Sequence, residues 1–150
     1  MNNKDSFYDV IETFTQLPGT IDSLNEESFK NVHRSDLAKT SKNIVYVWRA
    51  KKSFSRYRGE SDILYIGQTK QTFSQRYNNH HKWINTAANS LKYRHALDEY
   101  GGMTISVCDY KLFGTDLRNA EGQLLWWYFQ NHHEYPPFNY TQTKVRRNEY

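Results

Sequence analysis

Apolar residues recur along this chain in two rhythms, and the rhythms lay out its elements. Phe7, Val10, Ile11 and Phe14 fall at helical spacing. Ser6 can cap that helix, Asp9 stands at the capping-box position, and Pro18-Gly19 stops it, so a helix is predicted over 6–17. Leu24, Phe29 and Val32 predict a second short helix over 22–33. The run Asn43-Ile44-Val45-Tyr46-Val47-Trp48 is β-branched and aromatic and predicts a strand over 43–49. Ile63-Leu64-Tyr65-Ile66 reads as its return strand, broken by Gly67, and two neighbouring strands so connected pair antiparallel. The polar, basic stretch 51–60 between them predicts a long hairpin loop.

Helical spacing returns after Gly67. Thr72 and Gln75 form a capping box, and the helix they open runs to about Thr86 with Phe73, Arg76, Tyr77, His80 and Ile84 on one face. Asn89 or Ser90 caps the next helix, which Gly101-Gly102 terminates. Met103, Ile105, Val107, Tyr110 and Leu112 predict a third strand over 103–112, bulged near Cys108. Thr115 caps a last helix to about Asn131, whose apolar face carries Leu117, Leu124, Leu125 and Tyr128, with Glu121 in its midst. Pro136-Pro137 forces an extended segment ending in Phe138-Asn139-Tyr140, and a basic tail follows with Lys144, Arg146 and Arg147. There is no internal repeat and no low-complexity tract.

The length of 150 residues suits one compact unit. Within it, residues 1–40 read as a helical N-terminal extension and 41–150 as the segment that carries the chemistry. Charge divides the same way. Residues 1–40 hold four Lys/Arg against seven Asp/Glu, residues 41–100 eleven against four, and the last fifty five of each. The basic middle segment attracts a polyanion. Twelve tyrosines and four tryptophans supply rings with a polar edge, which suit a wet binding surface as well as a small core. Cys108 is the only cysteine, so no intrachain disulfide forms. No apolar run reaches membrane-spanning length, and Met1-Asn2-Asn3-Lys4-Asp5 lacks a signal-peptide layout. The expectation is a cytoplasmic protein without membrane contact.

Five residues stand out chemically. Glu121 on a core-facing stripe is costly unless it is paired, half-exposed or bound to a metal; one carboxylate with water suits Mg²⁺. Arg76 can grip a phosphate through two parallel hydrogen bonds or make a surface ion pair. His80, one turn on, can move a proton or rest as a satisfied histidine. Tyr46 and Tyr65, on neighbouring strands, are cross-strand packing residues or, beside a cation, phenols able to activate water. Zinc is disfavoured: His80-His81 and His132-His133 are adjacent pairs that diverge, and no second cysteine exists.

In order along the chain, these residues resemble the GIY-YIG nuclease family over about 43–140. Ile44-Val45-Tyr46 stands where the first triplet belongs, with Ile44 in place of its glycine. Tyr65-Ile66-Gly67-Gln68-Thr69 resembles the second triplet and its continuation. Arg76 and His80 are similar to the helix motif, Ser90-Leu91-Lys92-Tyr93 with Tyr100-Gly101 to the next helix and its stop, and Pro136-Pro137-Phe138-Asn139 to the C-terminal Asn motif. Asn89, Tyr93 and His95 compete for the third helix-borne polar position. Eighteen residues separate Tyr46 from Tyr65, a longer hairpin than the family usually has.

The resemblance implies an α+β fold, a small three-stranded antiparallel sheet flanked by helices, and a one-metal endonuclease of compact restriction or phage type. On that reading Glu121 holds Mg²⁺, with Mn²⁺ as a substitute, and Arg76 neutralises the scissile phosphate. Tyr46 orients or deprotonates the attacking water, with Tyr65 and His80 in support. Lys51, Lys52, Arg56, Arg58, Lys70 and Asn139 would meet double-stranded DNA. One site cuts one strand, so a double-strand break takes a homodimer or two successive cuts. The competing expectation is a catalytically inactive nucleic-acid-binding module of the same fold.

Overall fold

The protein was analysed as a computed structural model, which describes residues 7–84 and 86–139; Ser6 and the expected basic tail, Lys144, Arg146 and Arg147, lie outside them. In chain order the elements are α1 (Phe7–Ile11), β1 (Thr15–Gln16), α2 (Glu26–His33), α3 (Asp36–Thr40), β2 (Ile44–Ser55) and β3 (Glu60–Thr69), then α4 (Phe73–Arg76), α5 (His80–Trp83), α6 (Ala87–Tyr100), β4 (Met103–Asp109) and α7 (Leu117–His132). The fold is α+β. Its sheet has four antiparallel strands in the order β1-β4-β2-β3, with helices on both faces.

Alternation along β2 builds both layers. Ile44, Tyr46, Trp48 and Ala50 face a core closed by Phe29 and Val32 of α2, Phe73 of α4 and Tyr93 and Ala96 of α6. Val45 and Val47 face the opposite core with Ile63 and Ile66, covered by Phe7, Val10 and Ile11 of α1 and Leu124, Leu125 and Tyr128 of α7. The register of β2 on β3 slips between Trp48↔Tyr65 and Arg49↔Ile63, so Leu64 is the extra residue of a bulge. That slip turns Leu64 and Tyr65 toward the same core.

Several elements differ from expectation. The sheet has a fourth strand because the first helix stops at Ile11 and Thr15–Gln16 pairs with Ser106 and Val107. Residues 51–60 are mostly ribbon rather than loop: β2 runs to Ser55, and Gly59, at φ +73°, makes the turn back. Phe54 drives this by burying its ring against Tyr100, with centroids 4.8 Å apart. The helix expected over 72–86 is two short ones, α4 and α5, separated by Tyr77–Asn79. Tyr77 leaves helical geometry to stack on Phe73 at 4.6 Å, and Asn78-Asn79 offers little helical propensity to resist. The third strand ends at Asp109, without a bulge at Cys108, because the Asp109 carboxylate accepts from the Lys111 N–H and starts a 3₁₀ turn. Asp116 rather than Thr115 caps α7, and Thr86 precedes α6. Pro137–Asn139 is a 3₁₀ turn instead of an extended segment. The short helix α3 had no apolar signal and is set by Ser35, whose hydroxyl accepts from the Ala38 N–H.

Candidate active site

Gly67 organises the tyrosines. It lies opposite Tyr46 in the β2–β3 ladder. A Cβ placed there would come within 2.7 Å of Cζ and Oη of Tyr46 and of Cε2 of Tyr65. The missing side chain therefore lets both rings lie over the strand, with centroids 6.1 Å apart.

Tyr46 is buried, at 1% exposure, and its hydroxyl lies 3.0 Å from that of Tyr77. Burial, then the Tyr77 and Tyr65 phenols, push its pKa well above the ordinary value, and Arg76 opposes them only in part. Tyr77 is likewise pushed up to about 12, chiefly by burial. Tyr65 is half-buried; desolvation and then Glu121 raise its pKa, while Arg76 lowers it. It thus senses both charges. Arg76 stacks its guanidinium over the Tyr77 ring at 5.1 Å.

His80 sits in a buried relay. Its Nδ1 lies 3.1 Å from Nε2 of His33, and its Nε2 lies 2.8 Å from the Tyr93 hydroxyl. Among the described residues the Nδ1 of His33 is buried without a partner. Leaving an acceptor bare costs less than stranding an N–H, so His33 carries its proton on Nε2 and donates to His80. His80 then donates from Nε2 to Tyr93. Burial, then the charges of Lys92 and Arg76, hold His80 down at about 4, so the ring is neutral at physiological pH.

Tyr65, Arg76, Tyr77, His80 and Tyr93 line a cleft of about 320 Å³ with Trp48, Trp83, Lys92 and Phe138. Its charged walls, Arg76 and Lys92, are both cationic, and among the described residues no carboxylate lines it. Lys92 holds its ammonium over the rings of Tyr93 and Phe138 at 5.2 and 5.0 Å. Glu121, on α7, is not in the lining. It is half-buried, and burial raises its carboxyl pKa while Arg118 lowers it. A half-buried carboxylate suits a hydrated divalent cation such as Mg²⁺, which needs few protein ligands. Among the described residues no three His, Cys, Asp or Glu side chains gather into a metal cluster.

Set beside known protein families, curated proteins and solved structures, the chain matches none.

The fold brings Tyr65, Arg76 and His80 to one cleft, buries Tyr46 behind it, and leaves Glu121 within electrostatic reach of Tyr65. Of the three competing helix-borne residues, Tyr93 reaches the cleft. His95 is exposed and meets the Tyr100 hydroxyl at 3.3 Å, and the side chain of Asn89 lies outside the described residues.

The residues expected on DNA divide. Lys51, Lys52, Arg58 and Lys70 are exposed. Arg56 is tied to Glu134 at 2.9 Å and donates to the Tyr135 carbonyl at 2.7 Å, so it docks the hairpin onto the end of α7. Asn139 is 2% exposed, and its amide exchanges two 3.1 Å hydrogen bonds with the backbone of Ile66. It closes the free edge of β3 rather than facing solvent.

Sequence reasoning passed over His33 and Lys92. His33 had a legible signal, since it follows Phe29 by four residues and shares its apolar face. Lys92 had none, because its place in the cleft depends on how α6 packs. Among the described residues no helix is long and apolar enough to cross a membrane.

Proposed function

We propose that this chain is a metal-dependent DNA endonuclease of the GIY-YIG type that hydrolyses phosphodiester bonds at this cleft, in the manner of a compact restriction or phage-type enzyme. One observation carries the reading: Tyr65 lines the cleft with Arg76 and lies near enough to the half-buried Glu121 for that carboxylate to raise its pKa while Arg76 lowers it. That is the charge layout a phosphate and a hydrated cation require side by side. On this reading β2, β3 and β4 would be the sheet that the resemblance implies, with β1 an addition at its edge.

In this mechanism Arg76 binds the non-bridging phosphate oxygens and stabilises the charge that grows on them in the transition state. Glu121 is the residue that would hold Mg²⁺, and the bound ion would supply Lewis-acid stabilisation of the leaving oxygen. Tyr65 keeps its proton at neutral pH, so it orients the attacking water or a phosphate oxygen by hydrogen bonding. Tyr46 acts behind it as a positioning residue, its burial leaving no path for it to take a proton from water. The water oxygen bonds to phosphorus as the phosphorus–oxygen bond to the leaving nucleotide breaks. Solvent at the cleft mouth takes the water's proton and supplies one to the leaving oxygen.

A second reading, a catalytically inactive DNA-binding module of the same fold, is favoured by Glu121 standing outside the cleft lining. Supercoiled-plasmid cleavage in Mg²⁺ or Mn²⁺ separates the two. Wild type should nick or linearise the plasmid, EDTA should stop it, and Arg76→Ala and Glu121→Ala should each slow it by about 100-fold or more. Salt-sensitive DNA binding with no cleavage in either metal would establish the second reading instead.

A further inference from the structure

The break between α4 and α5 has a consequence for what the cleft can accept. Had residues 72–86 formed one straight helix, its side chains would have followed a single cylinder. Instead the chain turns at Tyr77–Asn79, and two hollows open side by side. The first is the aromatic, cationic cleft. The second, of about 270 Å³, is lined in addition by Gln75, whose Oε1 accepts from the Thr72 N–H, and by Asn78 and Asn79. Arg76, Tyr77, His80 and Trp83 belong to both.

Trp83 is 57% exposed at this shared wall, although tryptophan is costly to leave in water. Asn79 holds the N-cap position of α5 without spending its side chain on a capping hydrogen bond. Hollows of this size take a ligand on the scale of a single nucleotide rather than a double helix. A base inside an intact duplex keeps both faces stacked and cannot reach an indole; an unpaired or extruded base can. An aromatic face beside cations is the usual platform for single-stranded nucleic acid, and side-chain amides match the donors and acceptors of base edges.

We propose that the two hollows flanking Trp83 receive an unpaired nucleotide, its base stacked on the indole and its phosphate held by Arg76 and Lys92, so that the preferred substrate is single-stranded or locally unpaired DNA. This rests on the nucleic-acid reading of the same cleft but not on its catalytic competence. The amide-lined hollow takes the edge of the same base or of its neighbour.

The test uses the full chain and one fluorescein-labelled sequence in three forms: single strand, perfect duplex, and duplex with one unpaired nucleotide. Ca²⁺ replaces Mg²⁺ so that binding is read by anisotropy without cleavage. The single strand and the interrupted duplex should bind about 10-fold more tightly than the perfect duplex. Trp83→Ala should erase that margin, Trp83→Phe should retain most of it, and far-UV circular dichroism should show both variants folded. Equal binding of all three forms, or an unchanged margin in Trp83→Ala, overturns the proposal. Cleavage in Mg²⁺ is scored separately. A preserved margin without cleavage defeats the endonuclease reading alone, and cleavage of perfect duplex without a margin defeats this one alone.

Discussion

At the scale of single residues, Gly67 and His33 carry the sharpest consequences. Gly67→Ala would drive a methyl group into the Tyr46 and Tyr65 rings, and Tyr46, buried against Tyr77 and Phe73, cannot retreat. Overpacking of this kind costs about 1–3 kcal/mol. A lower urea midpoint and a loss of plasmid cleavage larger than the stability loss explains are both expected. A variant with wild-type midpoint and rate would show that the tyrosine placement does not depend on this glycine. His33 and His80 make a prediction in pH. Burial holds both pKa values below the unfolded value of about 6.5. Between folded and unfolded pKa the unfolded chain binds more protons, so stability is complete above about 6.5 and falls as pH drops toward the folded values. Thermal midpoints followed from neutral to acid pH should decline below that point, and His33→Gln should flatten the decline. A midpoint that rises on acidification would contradict the neutral relay.

At the scale of elements, what was legible had a local cause. The strands around Tyr46 and Tyr65, the capping box at Thr72 and Gln75, and the stop at Gly101 all follow from neighbours in sequence, and all are present. The misreadings came where a distant partner decided the outcome. Phe54 extends the β2–β3 ribbon because Tyr100 is there to receive it. Tyr77 ends α4 because Phe73 and Tyr46 offer a better place than the next helical turn. The candidate site followed the same rule: Arg76 and His80 were visible as a spaced pair, but His33 and Lys92 join them only through packing. Asn139 shows the difference in role most clearly. Its motif position suggested a DNA contact, yet its amide imitates a neighbouring strand on the edge of β3. Asn139→Ala leaves a buried N–H and C=O of Ile66 unpaired, at roughly 1–3 kcal/mol for each group. The variant should therefore melt earlier while the salt dependence of DNA binding keeps its slope. A changed slope with an unchanged melting point would return Asn139 to the interface. Arg56→Ala should behave in the same way, whereas neutralising exposed Lys51 and Lys52 together should lower the slope of log affinity against log salt by up to about 2 without changing stability.

At the scale of the whole molecule, the N-terminal helices and the segment that carries the chemistry share both cores of the sheet. Residues 7–40 supply part of each core. Phe7 and Ile11 seal the face that carries Val45 and Val47, while Leu17, Ile21, Phe29 and Val32 fill the face that carries Tyr46 and Trp48; all six are essentially inaccessible to solvent. Burying one such side chain contributes about 1.5–3 kcal/mol, and the net stability of a domain is only about 5–15 kcal/mol. Residues 41–150 made alone should consequently lose cooperative unfolding and bind a hydrophobic dye such as ANS. The site would go with the core, because His33 comes from α2 and orders the ring of His80. The decisive comparison is with the full chain carrying His33→Gln: it should keep a cooperative melt yet shift the pH profile of cleavage, separating the relay's contribution from that of the core. If the shortened chain instead melts cooperatively and cuts plasmid at the full-length rate, residues 1–40 are an accessory layer and the relay through His33 is dispensable.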